Sequence, residues 1–152
     1  MKKIIILENI RSAYNVGNII RTADALWWEV WMTGYTPMPD DSKRVGKSAL
    51  GAELHVSLQS FVTTDQAVSV AKDLWCVVVA AEITDNALSL DTYRSDGDNI
   101  AVIFWNEVVG VNQSTLDSVD DVVYIPMQGH KESLNVGQTS AIFMWELWKV
   151  KG

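Results

Sequence analysis

Four runs of consecutive apolar residues constrain this chain more than any other feature: Ile4-Ile5-Ile6-Leu7 within Lys3–Glu8, then Cys76–Ala81, Asn99–Phe104 and Val122–Ile125. A strand with one wet face alternates apolar and polar residues; a strand without that alternation has both faces covered. Stretches of helical spacing separate the runs. Asn15–Leu26 puts Ile19, Ile20, Ala23 and Leu26 on one side of a helix, and Thr63, Thr64 and Asp65 offer N-caps for another running to about Leu74. Val30–Thr33 reads as a short strand ended by Gly34 and the Pro37-Met38-Pro39 loop, Ser42–Leu50 as a short helix, and Leu54–Leu58 as a further strand. Fully apolar strands between helices predict an α/β fold, a parallel sheet flanked by helices on both sides. The last segment, Val136–Lys149, is a helix apolar nearly all round, with Ile142, Phe143, Met144, Trp145, Leu147 and Trp148. Such a helix needs cover on more than one side. Its own domain supplies one cover, and a second copy of the chain is the expected other.

A chain of 152 residues suffices for one domain with its own core, and 48% hydrophobic residues with 20% charged ones exclude a disordered chain. Cys76 is the only cysteine, which rules out an internal disulfide and reads as a small buried hydrophobe at a strand start. The N-terminus begins like a secretion signal, but Glu8, Asn9 and Arg11 cut its apolar stretch too short. No apolar run approaches the roughly 18 residues of a membrane span. A soluble, cytoplasmic protein is the expectation. The net charge of −7 is unfavourable for a polyanion partner, yet it is uneven: residues 1–50 hold seven basic and five acidic residues, residues 51–152 five and fourteen. A phosphate-binding face then belongs in the first third, although chance asymmetry of a solvated surface gives the same counts.

In open parallel sheets, ligands bind beyond the carboxyl ends of the strands. Three unusual segments fall at such ends: Asn9–Asp24, containing Asn15-Val16-Gly17-Asn18-Ile19-Ile20-Arg21; Phe104–Val111, containing Asn106-Glu107-Val108-Val109-Gly110; and Ile125-Pro126-Met127-Gln128-Gly129 followed by Glu132-Ser133-Leu134-Asn135-Val136. In this order they resemble the three motifs of the SpoU/TrmH branch of the SPOUT RNA methyltransferases. Gly34-Tyr35-Thr36 and Lys47–Glu53 resemble family stretches too, so the likeness spans nearly the whole chain. It implies a deep trefoil knot in the C-terminal part, a topology otherwise almost absent from proteins. It also implies a homodimer, S-adenosylmethionine bent into the knotted loops, and methyl transfer to a ribose 2′-hydroxyl of RNA, tRNA before rRNA. The chain reads as a single domain, 1–152, with no appended RNA-binding domain, so guide contacts come from the catalytic domain or a partner.

The resemblance also assigns roles. Arg21 is the catalytic arginine. Because guanidinium stays protonated, its expected work is to hold the adjacent phosphate and stabilise the developing alkoxide, with the proton lost to phosphate or water. The alternative is a surface ion pair with Asp24. Glu107 organises Asn15 and the active-site loops, unless it is an ordinary surface glutamate. Ser133 and Asn135, at the start of the last helix, meet the cofactor carboxylate or RNA, or only cap the helix. Ala81, Phe104, Trp105, Gly110, Ile125, Met127 and Leu134 are the expected cofactor contacts, with plain core packing the alternative for Ile125. Arg11, Arg21 and Lys47 are the expected RNA contacts. No metal is expected, since His55 and His130 are isolated. Gly46-Lys47-Ser48 is a partial phosphate-loop match, but Asp41 stands where the earlier glycine belongs.

Three tryptophans depart from the family pattern. Trp105 stands where relatives have a glycine that lets backbone approach the cofactor, so its indole is expected to fill the adenosine pocket or force the loop open. Trp27 and Trp75 stand where relatives commonly have a helix-ending glycine. One reading covers all three: the gene uses UGA for glycine, and this chain carries tryptophan at those codons. The other is a sequence with truly bulky residues. If Trp105 blocks the pocket, a knotted RNA-binding protein with little or no catalysis is the alternative function.

Overall fold

The computed structural model describes residues 1–106, 108, 110 and 112–149. Among these, β1 (Lys3–Glu8), β2 (Glu29–Thr33), β3 (Leu58–Phe61), β4 (Cys76–Ala81), β5 (Leu88–Ser89), β6 (Asn99–Trp105) and β7 (Asp121–Tyr124) form one sheet. Its order is β3-β2-β1-β6-β4-β7-β5, and every pairing is parallel. The helices are α1 (Ala13–Leu26), α2 (Lys43–Ala49), α3 (Thr64–Asp73), α4 (Gln113–Ser118) and α5 (Val136–Lys149).

The lack of alternation in β1 follows from this layering. Ile5 and Leu7 pack with Val16, Ile19 and Ile20 of α1 and with Phe143 and Met144 of α5. Ile4 and Ile6 point the other way, to Ala67, Val68 and Ala71 of α3. All four β1 side chains are fully buried, each contributing about 1.5–3 kcal/mol of transfer free energy. Strands β4 and β6 divide their residues in the same way. Strand β7 lies between β4 and β5, so the connection from β4 to β6, which carries β5, passes around it. After β7 the chain returns across the strand ends, and α5 packs on α1.

The long elements fall where their sequence signals put them, and the short ones differ. Helix α1 begins at Ala13, two residues before the expected start, because the Ser12 hydroxyl accepts from the Asn15 backbone N–H and caps it. Thr63 caps α3 in a reciprocal box with Gln66. The strand expected at Leu54–Leu58 is instead a 3-10 turn at Ala52–Leu54 followed by β3 at Leu58–Phe61. Gly51, at φ 89°, turns the chain there, so Leu54 (81% exposed) points to solvent although it shares the alternation of Val56 and Leu58. β5 and α4 carry too few apolar residues to stand out in the sequence. Helix α5 buries Phe143, Met144 and Leu147 but leaves Ile142, Trp145 and Trp148 exposed. Among the described residues of one chain it is covered on one side only.

The three tryptophans behave in two ways. Trp27 and Trp75 end α1 and α3 at φ 61°, the left-handed region that favours glycine, and their indoles are 86% and 87% exposed. Trp105 is not in that region: it ends β6 and is buried among Ile4, Ile6 and Ile103.

Candidate active site

The carboxyl end of β1 starts the site. Asn9 leaves the strand at φ 52°, its N–H donating to the Thr33 carbonyl at 3.3 Å. Its Oδ1 accepts from the Tyr35 N–H at 3.2 Å. Thr36 is buried, donates to the Leu7 carbonyl at 2.9 Å and accepts from the Ile10 N–H at 3.0 Å. These bonds tie the loop after β1 to the loop after β2, where sheet pairing has ended. They fix the start of α1, and with it Asn15.

Two cavities lie along the strand ends. The first, about 230 Å³, is walled by Ala81 ending β4 and Glu82 after it, Phe104 and Trp105 ending β6, Gly110, Ile125 and Met127 after β7, Ser133 and Leu134, and Phe143 of α5. All seven residues expected to contact a cofactor are in this wall, and Ser133 joins them. The second, about 250 Å³, is walled by Ile10, Arg11, Ser12, Asn15, Asn106, Val108 and Asn135. Trp105 and Val136 belong to both cavities, which are therefore neighbours.

Trp105 does not fill the first cavity. Its indole packs into the α3 side of the sheet, its Nε1 donates to Glu82 Oε2 at 3.3 Å, and it serves as a wall. Phe104 points the other way and meets Phe143 edge-on, with ring centroids 5.3 Å apart. Asn135 does cap α5, its Oδ1 accepting from the Gly137 N–H at 2.8 Å, whereas Ser133 makes no such bond. Gly137 is where Asn15 and Asn135 come together: a Cβ there would lie 3.1 Å from Asn135 Oδ1 and 3.8 Å from Asn15 Oδ1.

Arg21 and Lys47 line neither cavity; both are exposed, on α1 and α2. Arg21 forms no ion pair with Asp24 among the described residues. Glu107 lies outside the described residues. Sequence reasoning missed Glu82, Ile83, Glu132 and Thr139 in the first wall; the position of Glu82 and Ile83 directly after a fully apolar strand was the available signal. Among the described residues no His, Cys, Asp and Glu cluster suits a metal, and no helix is long and apolar enough to cross a membrane.

Two buried ionisable groups, Glu8 at the carboxyl end of β1 and Cys76 at the opposite end of the sheet, stay neutral more readily than usual. Burial raises the Glu8 carboxyl, with a Thr64 hydrogen bond opposing and Asp65 adding to the rise. Burial likewise pushes the Cys76 thiol up to about 11, which removes it as a nucleophile at neutral pH.

Comparison with known proteins decides the family. The model of the SpoU rRNA methylase family matches residues 2–145. The chain belongs to that family. A putative TrmH family tRNA/rRNA methyltransferase of Staphylococcus haemolyticus is 26% identical over 149 residues, covering 98% of this chain and 59% of the relative. This SpoU-family chain thus spans about three-fifths of the curated relatives it matches. Among solved structures, an AdoMet-bound rRNA methyltransferase from Sinorhizobium meliloti superposes with a TM-score of 0.87 at 22% identity, covering 96% of this chain and 55% of that one. A structure concerning 2-OH methylation of C/U34 on tRNA gives a TM-score of 0.84 at 21% identity, covering 98% and 95%. At these identities the superpositions speak for the fold.

Proposed function

We infer that this chain moves a methyl group from S-adenosylmethionine to a ribose 2′-hydroxyl of RNA, tRNA before rRNA, in the cytoplasm. The observation that carries this reading is the pair of adjoining cavities at the strand ends, one lined by the cofactor motif residues and one by Asn15 and Asn135. Such a pair suits a donor and an acceptor held side by side. The tRNA preference draws on the tRNA-methylation structure, which this chain matches over nearly the whole of both lengths.

The first cavity fits the cofactor chemically. Ile125, Leu134 and Phe143 offer apolar surface to an adenine, and Glu82 and Glu132 offer acceptors to hydroxyls and to an ammonium. When bound, S-adenosylmethionine supplies a methyl group on a sulfonium, open to in-line displacement. The protein's task is then mainly positioning. Asn15 and Asn135 orient the ribose hydroxyl at the boundary of the two cavities. Arg21, permanently cationic, holds the neighbouring phosphate and steadies the developing alkoxide, while the proton leaves to phosphate or water. Since Arg21 lies outside both cavities of its own chain, it serves the site of a second copy in a homodimer. The passage of the β4–β6 connection around β7 supports a knot threaded at that point.

The test pairs calorimetric titration of S-adenosylmethionine with radiolabelled methyl transfer to unmodified tRNA. Arg21→Ala is expected to lower transfer by about 100-fold or more while cofactor affinity stays within about twofold. Unchanged transfer removes the role given to Arg21, and absence of cofactor binding removes the enzyme reading. A knotted RNA-binding protein without catalysis is the second reading; RNA binding with no cofactor heat would establish it.

A further inference from the structure

Building on the RNA reading above, we propose that Tyr35 and Arg11 form a stacking platform for an unpaired RNA base beside the nucleotide being methylated. Tyr35 is 50% exposed, yet its backbone is anchored on both sides. Its N–H donates to Asn9 Oδ1 at 3.2 Å, and Asn9 itself sits in the left-handed region. Gly34 precedes it at φ 62°, where a Cβ would stand 1.9 Å from that same Asn9 oxygen. Thr36 follows it, buried and bonded to both Leu7 and Ile10. The turn is thus built around special conformations and buried bonds, and it presents an apolar ring to water. An aromatic side chain on a fixed turn has little freedom left to lose on binding.

The surroundings say what the ring faces. The Arg11 guanidinium carbon lies 5.7 Å from its centroid, and Asn106 Nδ2 is 3.5 Å from its hydroxyl. Arg11 and Asn106 both wall the second cavity, so the ring stands at the rim of the proposed acceptor site. RNA enzymes read single strands by splaying bases onto aromatic rings and guanidinium planes, and each stacked base adds measurably to affinity. In this arrangement the ring takes a base next to the target ribose. Arg11 closes one side of the stack and offers its charge to the linking phosphate.

The probe is a fluorescein-labelled single-stranded RNA of about twelve nucleotides and mixed sequence, compared by anisotropy with the same strand in a duplex. Wild type is expected to prefer the single strand. Tyr35→Ala should weaken that binding by about tenfold or more, and Tyr35→Phe and Tyr35→Trp should stay within about twofold. S-adenosylmethionine affinity and the thermal transition should be unchanged in all three. Equal single-strand affinity for Tyr35→Ala and wild type overturns the platform and leaves the methyltransferase reading standing. A Tyr35→Phe loss as large as that of Tyr35→Ala also overturns it, since the hydroxyl and not the ring face would then bind. Wild-type protein that binds cofactor but neither form of RNA overturns the RNA reading and the platform together.

Discussion

Trp27, Trp75 and Trp105 show one residue type meeting two different demands. At 27 and 75 the chain ends a helix in the left-handed region, where a Cβ costs about 1–2 kcal/mol, while the exposed indoles recover little by burial. Glycine relieves that strain but gives back part of the gain through greater freedom of the unfolded chain. Trp27→Gly and Trp75→Gly are each expected to stabilise the protein by about 0.5–1 kcal/mol in urea denaturation. A loss of stability at both would show that the helix ends are not strained. Trp105 carries no such strain and fills core volume on the α3 side. A glycine at 105 would need that volume refilled, so the helix-end evidence for recoded glycines does not extend to it. The codons decide the matter: UGG at 27, 75 and 105 ends the recoding idea.

At the scale of elements, the site depends on how closely α1 lies on α2. Gly17 makes that approach possible. A Cβ there would stand 1.8 Å from Ser48 Oγ, 2.5 Å from the Val45 carbonyl oxygen and 2.8 Å from the Ala49 nitrogen. Two of those atoms are backbone and cannot rotate away. Gly17→Ala should therefore push the helices apart, at a cost of about 2–3 kcal/mol by denaturation. It should also weaken methyl transfer, because Asn15 lies on the same turn region of α1. A variant as stable as wild type would mean that α2 shifts freely. The motif order in the sequence marks this helix as functional, but only the packing explains why its glycine is needed.

At the scale of the whole molecule, α5 remains half covered. Trp145 and Trp148 stack with centroids 5.4 Å apart on its outer side, next to exposed Ile142. A contiguous apolar face of this kind marks an interaction surface. In the proposed homodimer a second copy covers it and brings Arg21 to the neighbouring site. Trp148→Glu is expected to shift the protein from dimer to monomer in sedimentation velocity and to abolish methyl transfer. Each monomer should keep its fold by circular dichroism. A variant that stays dimeric places the interface elsewhere.

The unbroken apolar runs made a sheet covered on both faces legible in the sequence, and the helical stretches between them pointed to parallel strands. The motif order made legible which loops gather at its edge, and all seven expected cofactor contacts line one cavity. Short elements such as β5 and α4 stayed hidden, since two or six residues carry too little pattern to rise above chance. The direction of the Trp105 side chain was hidden too. Whether an indole blocks a pocket depends on which face of β6 its Cβ leaves, and the register against β1 and β4 sets that. Local chemistry determined the strands, the helix ends and the candidate groups. Only tertiary packing decided which of those groups meet, because it alone brings residues as distant as Asn15 and Asn135 to one glycine.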